Sequence, residues 1–420
     1  MKSENIFCVV GLGRSGYAAA QLLKRKGFRV KVTESSNSRE LKKKASSLLE
    51  FDIDVELGAH NEDFYRDAAL YILSPSIDNS NPVLKYAKSH NISAISEIEL
   101  AWMYSPAKVI AITGTNGKTS VSTYIHRVLN KMGYSAVLAG NVGIPFSSLV
   151  LDLNKNDLVV LELSSFQLEY TVNFHPYIAV LLNISQDHLD RHKSMDDYSG
   201  AKFKIFSNQS PGDIAIVDLS QRMIKEREDS ILAKLVDISV FKSPEMSQNQ
   251  KAVYLIAKAL GLEDRRLLSE IKKLKNLNHR EESLGYIAGV SFINDSKATN
   301  PDATKWALSN IDSDVVLIAG GRDKDIDFRI IKDEISSKVK ALILIGETKE
   351  KIANTIGVFV EVVKFADNLK DAVNISLEEA SSGDTVLLSP MCSSFDMFKS
   401  YIERGNLFKR IVRDLQRCKN

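Results

Sequence analysis

The chain has 420 residues, 55 of them basic and 53 acidic, for a net charge of +2, with 44% apolar and 26% charged residues. So even a balance leaves no chain-wide field to attract nucleic acid or an anionic membrane, and the composition is that of a folded protein. Cys8, Cys392 and Cys418 are the three cysteines, too few and too scattered for a disulfide framework, which points to a reducing compartment. The N-terminus runs into a short apolar stretch without a signal-peptide cleavage site, and the longest apolar stretch, Tyr177–Ile184, falls far below the roughly 20 residues of a membrane span. A cytoplasmic monomer with small-molecule partners, no nucleic acid and no membrane insertion is therefore expected.

Short β-branched runs alternate with amphipathic stretches from end to end, the pattern of parallel sheets covered by helices, so the fold class is α/β. Ile6–Val10 reads as a first strand, Tyr17–Lys26 as a helix and Arg29–Thr33 as a second strand, a βαβ opening. Tyr71–Leu73 and Ile92–Ile95 continue it, and the helical stretch Glu97–Met103 ends at Ser105-Pro106, where proline disfavours further helix. The strand Lys108–Ile112, a glycine-rich loop and a helix from about Lys118 begin a second set, with later strands at Leu158–Leu161, Ile178–Leu182 and Ile214–Val217. The amphipathic stretches Lys251–Leu260 and Arg266–Leu274 close it. Strands at Val290–Asn294, Val315–Ile318, Ala341–Ile345 and Thr385–Leu388 make a third. Three domains follow, at 1–104, 105–278 and 279–420.

Two loops have phosphate-binding composition. Gly11-Leu-Gly13-Arg-Ser-Gly16 lies between a strand and a helix, with Glu34 at the tip of the next strand, as in a dinucleotide-binding fingerprint. Its glycines admit a phosphate to a helix N-terminus and the carboxylate can accept ribose hydroxyls, so NAD or another phosphate-bearing ligand would fit, as would a tight turn without one. Thr113-Gly-Thr-Asn-Gly-Lys-Thr-Ser120 is the more specific. Backbone amides and the helix dipole cradle phosphates, Lys118 adds a point charge on the outer phosphates and the Thr119 hydroxyl can ligate Mg²⁺. Ile112 stands where the strict phosphate loop has its first glycine.

With its neighbours, that second loop resembles the Mur ligase family, which includes the folylpolyglutamate synthetases. Gly140-Asn-Val-Gly-Ile-Pro145, Leu161-Glu-Leu-Ser-Ser-Phe-Gln-Leu-Glu169, Asn183-Ile-Ser-Gln-Asp-His188 and Ala201-Lys202 carry the resemblance through the middle of the chain. Asn278-His-Arg280, Asn294-Asp-Ser-Lys-Ala-Thr-Asn300, Gly320-Gly-Arg-Asp-Lys324, Leu388–Phe398 and Glu403–Phe408 carry it to the end. Within the family these motifs are most similar to members that add D-glutamate to UDP-N-acetylmuramoyl-L-alanine in peptidoglycan precursor synthesis. The resemblance implies a Rossmann-like N-terminal domain for the UDP moiety, a central ATPase-like mononucleotide-binding domain, and a Rossmann-like C-terminal domain that closes on ATP and binds D-glutamate. Members that add a diamino acid or extend folate are the near alternatives, discriminated by Lys324 and the Ser389–Phe398 set. A nucleotide-binding module without ligase activity is the distant one.

The implied reaction passes the γ-phosphate of ATP to the substrate carboxylate, and the amine of D-glutamate attacks the acyl phosphate. By the resemblance, Gly114, Thr115, Asn116, Gly117, Lys118, Thr119, Ser120, Val121, Asn249, Arg280 and Asp295 bind ATP. Thr119, Glu162, His188 and Lys202, the last as a carbamate, organise Mg²⁺. Lys118, Glu162, His188 and Lys202 form the catalytic set. Glu162 and His188 follow strands, near the carboxyl ends where open α/β sheets bind ligands. From the residues alone Glu162 reads rather as a helix cap, His188 as polar surface and Lys202 as a solvated helix lysine beside Lys204.

Arg14, Ser15 and Gly16 are implied on the diphosphate and Glu34 near the uracil or ribose, with Ser74-Pro-Ser-Ile77 as a second wall. Asn141, Ser164, Gln167 and His188 are implied on the sugar and peptide, and Lys297 and Thr299 near the reacting centre. Lys324, Ser394 and Phe395 are implied on D-glutamate, with Tyr401 as a companion. Ser164 lacks the Gly-x-Ser-x-Gly elbow of a hydrolase nucleophile. The Cys392–Phe398 segment also reads as a helix N-terminus capped by Ser393 or Ser394, with Cys392 packed inside. Two departures from the family pattern stand out: Ser76 replaces a glycine, and Ser243-Pro-Glu-Met246 replaces the Gly-x-His-Asn ahead of the helix containing Asn249.

Overall fold

Three sheets organise the chain, and the computed structural model describes residues 5–189, 191–262 and 265–419. The first comprises β1 (Ile6–Val10), β2 (Arg29–Glu34), β3 (Asp54–Leu57), β4 (Leu70–Leu73) and β5 (Ala94–Ser96) in the order β3-β2-β1-β4-β5. The second holds β6 (Lys108–Thr113), β7 (Ala136–Gly140), β8 (Leu158–Glu162), β9 (Ile178–Leu181), β10 (Ile214–Val217) and β11 (Lys234–Asp237) in the order β11-β10-β9-β6-β8-β7. Every pairing in these two sheets is parallel. The third contains β12 (Glu282–Ile287), β13 (Val290–Asn294), β14 (Val315–Ala319), β15 (Val339–Leu344), β16 (Val362–Phe365) and β17 (Thr385–Leu388), ordered β12-β13-β17-β14-β15-β16. There β12 is antiparallel to β13 and the remaining pairs are parallel.

Burial on both faces explains the apolar central strands. In the third sheet Val316, Ile318, Ala341, Ile343, Val386 and Leu388 enter one core, and the alternate residues Val315, Leu317, Leu342, Leu344 and Leu387 enter another. Several helices start where a side chain satisfies their free amides. Ser247 and Gln250 form a reciprocal capping box at the head of Gln248–Ala259, and Asn300 caps Pro301–Ser309 with proline in its first turn.

The sequence-based elements recur within a few residues of their expected limits, and the differences have physical causes. Strands β3, β7, β11, β12 and β16, which the pattern does not predict, all lie at sheet edges; in β3, β11, β12 and β16 polar residues dilute the apolar run, and β7 is a short run of small and apolar residues ending in glycine. The expected helix start in Cys392–Phe398 is absent. Those residues form turns, Ser393 bridges to Arg322, and the helix begins at Tyr401 and runs to Lys419. Met391 ahead of them has a left-handed backbone, φ 63°, which carries the chain away from helix.

Two compact units emerge: Met1–Ile184 with Asp196–Leu274, and Ser185–Met195 with Lys275–Asn420. The first carries the first two sheets and the second carries the third. Among the described residues no helix is long and apolar enough to cross a membrane.

Candidate active site

In the first unit, β6 lies between β8 and β9, where chain connections leave toward opposite edges of the sheet. Such a switch point opens a crevice at the strand ends. The glycine-rich loop leaves β6 into it, and the helix Lys118–Lys131 starts there. Gly117 has φ 85°, and a Cβ on it would fall 2.7 Å from Asn249 Oδ1, so the loop is closed down against the helix containing Asn249. Asn183, at the end of β9, fastens the loop from the other side. Its carbonyl accepts from Thr115 N at 2.9 Å, its side-chain oxygen from Asn116 N at 2.7 Å, and its amide donates to Asn116 O at 3.1 Å.

Lysines converge on this loop. Lys118 Nζ donates to the carbonyls of Gly114 and Thr115 at 2.7 and 2.8 Å, and Lys202 Nζ donates to Gly114 O at 2.8 Å. Lys202 is only 1% exposed, 4.5 Å above the Tyr198 ring, so its reading as a solvated helix lysine does not hold. Tyr198 in turn meets Thr115 Oγ1 at 3.2 Å. Glu162 ends β8 and is buried; Asn141 Nδ2 donates to its Oε1 at 2.7 Å and Ser122 Oγ to its Oε2 at 3.4 Å. It is a strand-end carboxylate facing the phosphate-loop helix and does not cap one.

Thr119 and Glu162 offer hard oxygen donors beside a phosphate cradle, the set that suits Mg²⁺, which is usually held by one or two carboxylates and by substrate phosphates. Among the described residues no group of three or more His, Cys, Asp and Glu could hold a metal alone. Ser164 and Gln167 form a capping box on the short helix Ser165–Glu169, with Gln167 Oε1 accepting from Ser164 N at 3.0 Å and Oγ at 2.9 Å.

At the first glycine loop, Glu34 does not stand free. Its Oε2 accepts from Leu12 N at 2.8 Å and its Oε1 from Ser36 N at 3.0 Å, which braces the turn before the helix Arg14–Arg25. Ser74 Oγ donates to Gly11 O at 3.0 Å, so Ser74 supports this loop from β4. Ser15 and Gly16 lie in the first turn of that helix, and Arg14, exposed, donates to the Gly143 carbonyl.

The second unit assembles another polar group. Asp187, preceding His188, pairs with Lys324 at 3.0 Å and accepts from Asn300 Nδ2 at 3.2 Å. Burial opposes ionisation of Asp187, but Lys324, His188 and Asn300 outweigh it and hold the carboxyl down at about 2. His188 has a left-handed backbone, φ 56°, with its amide on Asp187 Oδ1 at 2.9 Å. Asp295, at the end of β13, behaves oppositely. Burial, with neighbouring Glu281, pushes it up to about 8 despite a hydrogen bond from Ser389 Oγ at 2.9 Å and the charge of Arg280. Lys297 and Thr299 lie in the turn that follows, with Lys297 Nζ 4.0 Å above the Tyr401 ring.

Phe395 is 65% exposed, whereas Ser394 is buried, so Tyr401 is the aromatic ring that lies against a candidate reacting-centre residue. Arg404, 1% exposed, joins the two candidate segments: Nε donates to Ser296 Oγ at 3.0 Å, and Nη2 to Ser296 O at 2.9 Å and Cys392 O at 3.1 Å. Asn183, Asp187 and Arg404 have no role that their sequence motifs specify. Each stands inside a quoted motif, but its partner is far along the chain.

Comparison with known proteins agrees with this architecture. Residues 5–96 match the Mur ligase MurD-like N-terminal domain, 112–259 the Mur ligase middle domain and 279–392 the Mur ligase glutamate ligase domain. The UDP-N-acetylmuramoylalanine–D-glutamate ligases of Chloroherpeton thalassium and Geotalea uraniireducens are 36% and 37% identical to it, each covering 97% of this chain and 97% of the relative. Among solved structures, a MurF ligase from Thermotoga maritima in complex with ADP has a TM-score of 0.63 at 15% identity over 100% of both chains, a likeness of fold. From one end to the other, therefore, the chain belongs to the Mur ligase family.

Proposed function

We propose that the chain is an ATP-dependent ligase that joins D-glutamate to UDP-N-acetylmuramoyl-L-alanine in the cytoplasm, in the synthesis of peptidoglycan precursors. The observation that carries this reading is the union, in one crevice, of a phosphate loop and a buried strand-end carboxylate, in a chain whose full-length relatives are D-glutamate ligases. Residues 1–104 take the nucleotide sugar, 105–278 take ATP, and 279–420 supply the amino-acid site.

A carboxylate is a poor acylating agent, so phosphorylation precedes amide formation. The substrate carboxylate attacks the γ-phosphorus, the bond to ADP breaks, and the amine of D-glutamate then displaces inorganic phosphate from the acyl phosphate. Lys118, now folded onto loop carbonyls, swings to the phosphate oxygens that replace them and offsets their charge. Gly114–Val121 and Asn249 surround the nucleotide. Thr119 and Glu162 would hold Mg²⁺, which supplies electrostatic stabilisation of the transferring phosphoryl group. In the second unit His188, Arg280 and Asp295 keep the roles that the family resemblance implies for them. There Lys324 offers an ammonium to a D-glutamate carboxylate while Asp187 orients it, Ser394 adds a hydrogen-bond donor, and Tyr401 is a better aromatic wall than Phe395.

Phosphate release with UDP-N-acetylmuramoyl-L-alanine and D-glutamate, L-glutamate, L-lysine or diaminopimelate tests this reading. Turnover with D-glutamate and little with the others is expected; preference for another amino acid refutes the specificity. In the same assay Lys118→Ala should lower turnover by at least about 100-fold, the size expected for loss of a preorganised charge at the transferring group.

A further inference from the structure

One loop of the first unit is held at both ends by groups from different sheets. Between β7 and residue 148 the chain folds tightly: Gly140 N donates to Ile144 O at 3.0 Å, and Gly143, at φ 80°, has no room for a Cβ, which would fall 2.4 Å from Leu138 O. These contacts leave the loop little internal freedom. Its near end is fastened to the catalytic sheet twice, by Asn141 N on Glu162 O at 2.9 Å and Asn141 Nδ2 on Glu162 Oε1 at 2.7 Å. Its far side is fastened to the N-terminal sheet's helices. Arg14, the first residue of Arg14–Arg25, donates to Gly143 O, and Glu97, the first residue of Glu97–Trp102 and only 2% exposed, accepts from Ser147 N at 2.6 Å.

Arg14 is the adjustable member. A cation in a helix's first turn opposes the helix dipole, so the exposed guanidinium gains from an acceptor or an anion beside it. Gly143 O provides the acceptor, and the diphosphate of the proposed nucleotide sugar would provide the anion.

We propose that Arg14 is a positioning residue that couples the diphosphate site at the N-terminus of Arg14–Arg25 to the Glu162 carboxylate, with the Gly140–Pro145 loop as the strut between them. The coupling rests on the function proposed above; the strut does not. Bound diphosphate orients the guanidinium, the guanidinium holds Gly143, and the rigid loop sets Asn141 and with it the orientation of Glu162. Binding the correct nucleotide sugar thereby completes the phosphoryl-transfer site.

Hydrogen exchange by mass spectrometry on the full-length, ligand-free protein tests the strut. Arg14→Ala should speed exchange across residues 140–147 by about fivefold, the weight of one hydrogen bond in a local opening equilibrium, and Arg14→Lys should restore part of the protection. Steady-state kinetics test the coupling: at saturating nucleotide sugar, Arg14→Ala should lower kcat and raise the Mg²⁺ concentration for half-maximal rate. Unchanged exchange across 140–147, or a rise confined to KM for the nucleotide sugar with kcat intact, would overturn the proposal. Because the exchange arm uses no substrate, a different amino-acid preference in the wild-type chain would overturn the proposed function and leave the strut standing or falling on its own data.

Discussion

Lys202 shows how far a single residue's chemistry depends on its surroundings. Its ammonium and that of Lys118 share the Gly114 carbonyl, at 2.8 and 2.7 Å, in a crevice where Lys202 is almost wholly buried. Two cations so close in a partly desolvated site repel each other. Adding CO₂ to the Lys202 amine would turn that repulsion into attraction and provide a carboxylate-like oxygen pair beside the proposed Mg²⁺ site. The family resemblance implies a carbamate on Lys202, and its burial beside Lys118 accommodates one; we predict that it is visible as a carbon-13 carbamate resonance in protein prepared with labelled bicarbonate. Depleting CO₂ should then depress turnover reversibly; full activity after depletion, with no carbamate signal, would rule it out. Apart from the Ala201-Lys202 family motif, nothing in the composition or spacing around position 202 distinguishes this lysine from Lys204. The distinction arises because residue 114 lies beneath it, 88 positions earlier in the chain.

At the scale of elements, central strands were legible because burial on both faces demands a continuous apolar run, as in Leu158–Leu161 and Val315–Ile318. Edge strands such as Lys234–Asp237 and Val362–Phe365 are half exposed, and their sequences satisfy that demand too weakly to be distinguished from loops. The helix Tyr401–Lys419 adds a connection that no local pattern specifies. Through Arg404 it clamps the turn containing Ser296 and the segment at Cys392, next to the candidate residues Lys297 and Ser394. Arg404→Ala would strand buried acceptors and leave a cavity, so it should cost roughly 3–5 kcal/mol of unfolding free energy. Arg404→Lys should cost less, since a lysine keeps the charge but not the planar fork. Urea unfolding monitored by tryptophan fluorescence checks both; an Arg404→Ala midpoint equal to wild type would show that the clamp carries no weight.

For the molecule as a whole, two buried carboxyls act on stability in opposite pH windows. Asp187 is held at about 2, below its ordinary 3.8, so it contributes stability above about pH 4 that is lost as pH falls toward 2. Asp295 is raised from 3.8 to about 8. The unfolded chain releases that proton near pH 4 while the folded chain keeps it to about pH 8, so the contribution of Asp295 becomes steadily less favourable as pH rises between them. Asp295→Asn, which cannot ionise, should raise Tm relative to wild type at pH 8 and raise it markedly less at pH 5, where the penalty has only begun to accrue. Thermal unfolding at the two pH values decides the matter: an equal shift at both, or none at pH 8, contradicts the assignment.

The sequence by itself determined the α/β class, the three-sheet organisation, the glycine-rich turn between β6 and the helix from Lys118, and the family, because each rests on local composition: apolar runs for buried strands, glycines for tight turns, and motifs that survive as contiguous letters. Only the tertiary structure decided which side chains meet. It buried Lys202 against Gly114, turned Tyr401 and not Phe395 toward Lys297, paired Asp187 with Lys324, and closed Arg14 onto Gly143. Those contacts join residues from different strands and helices, and their energies depend on burial and on partners that no window of neighbouring residues contains.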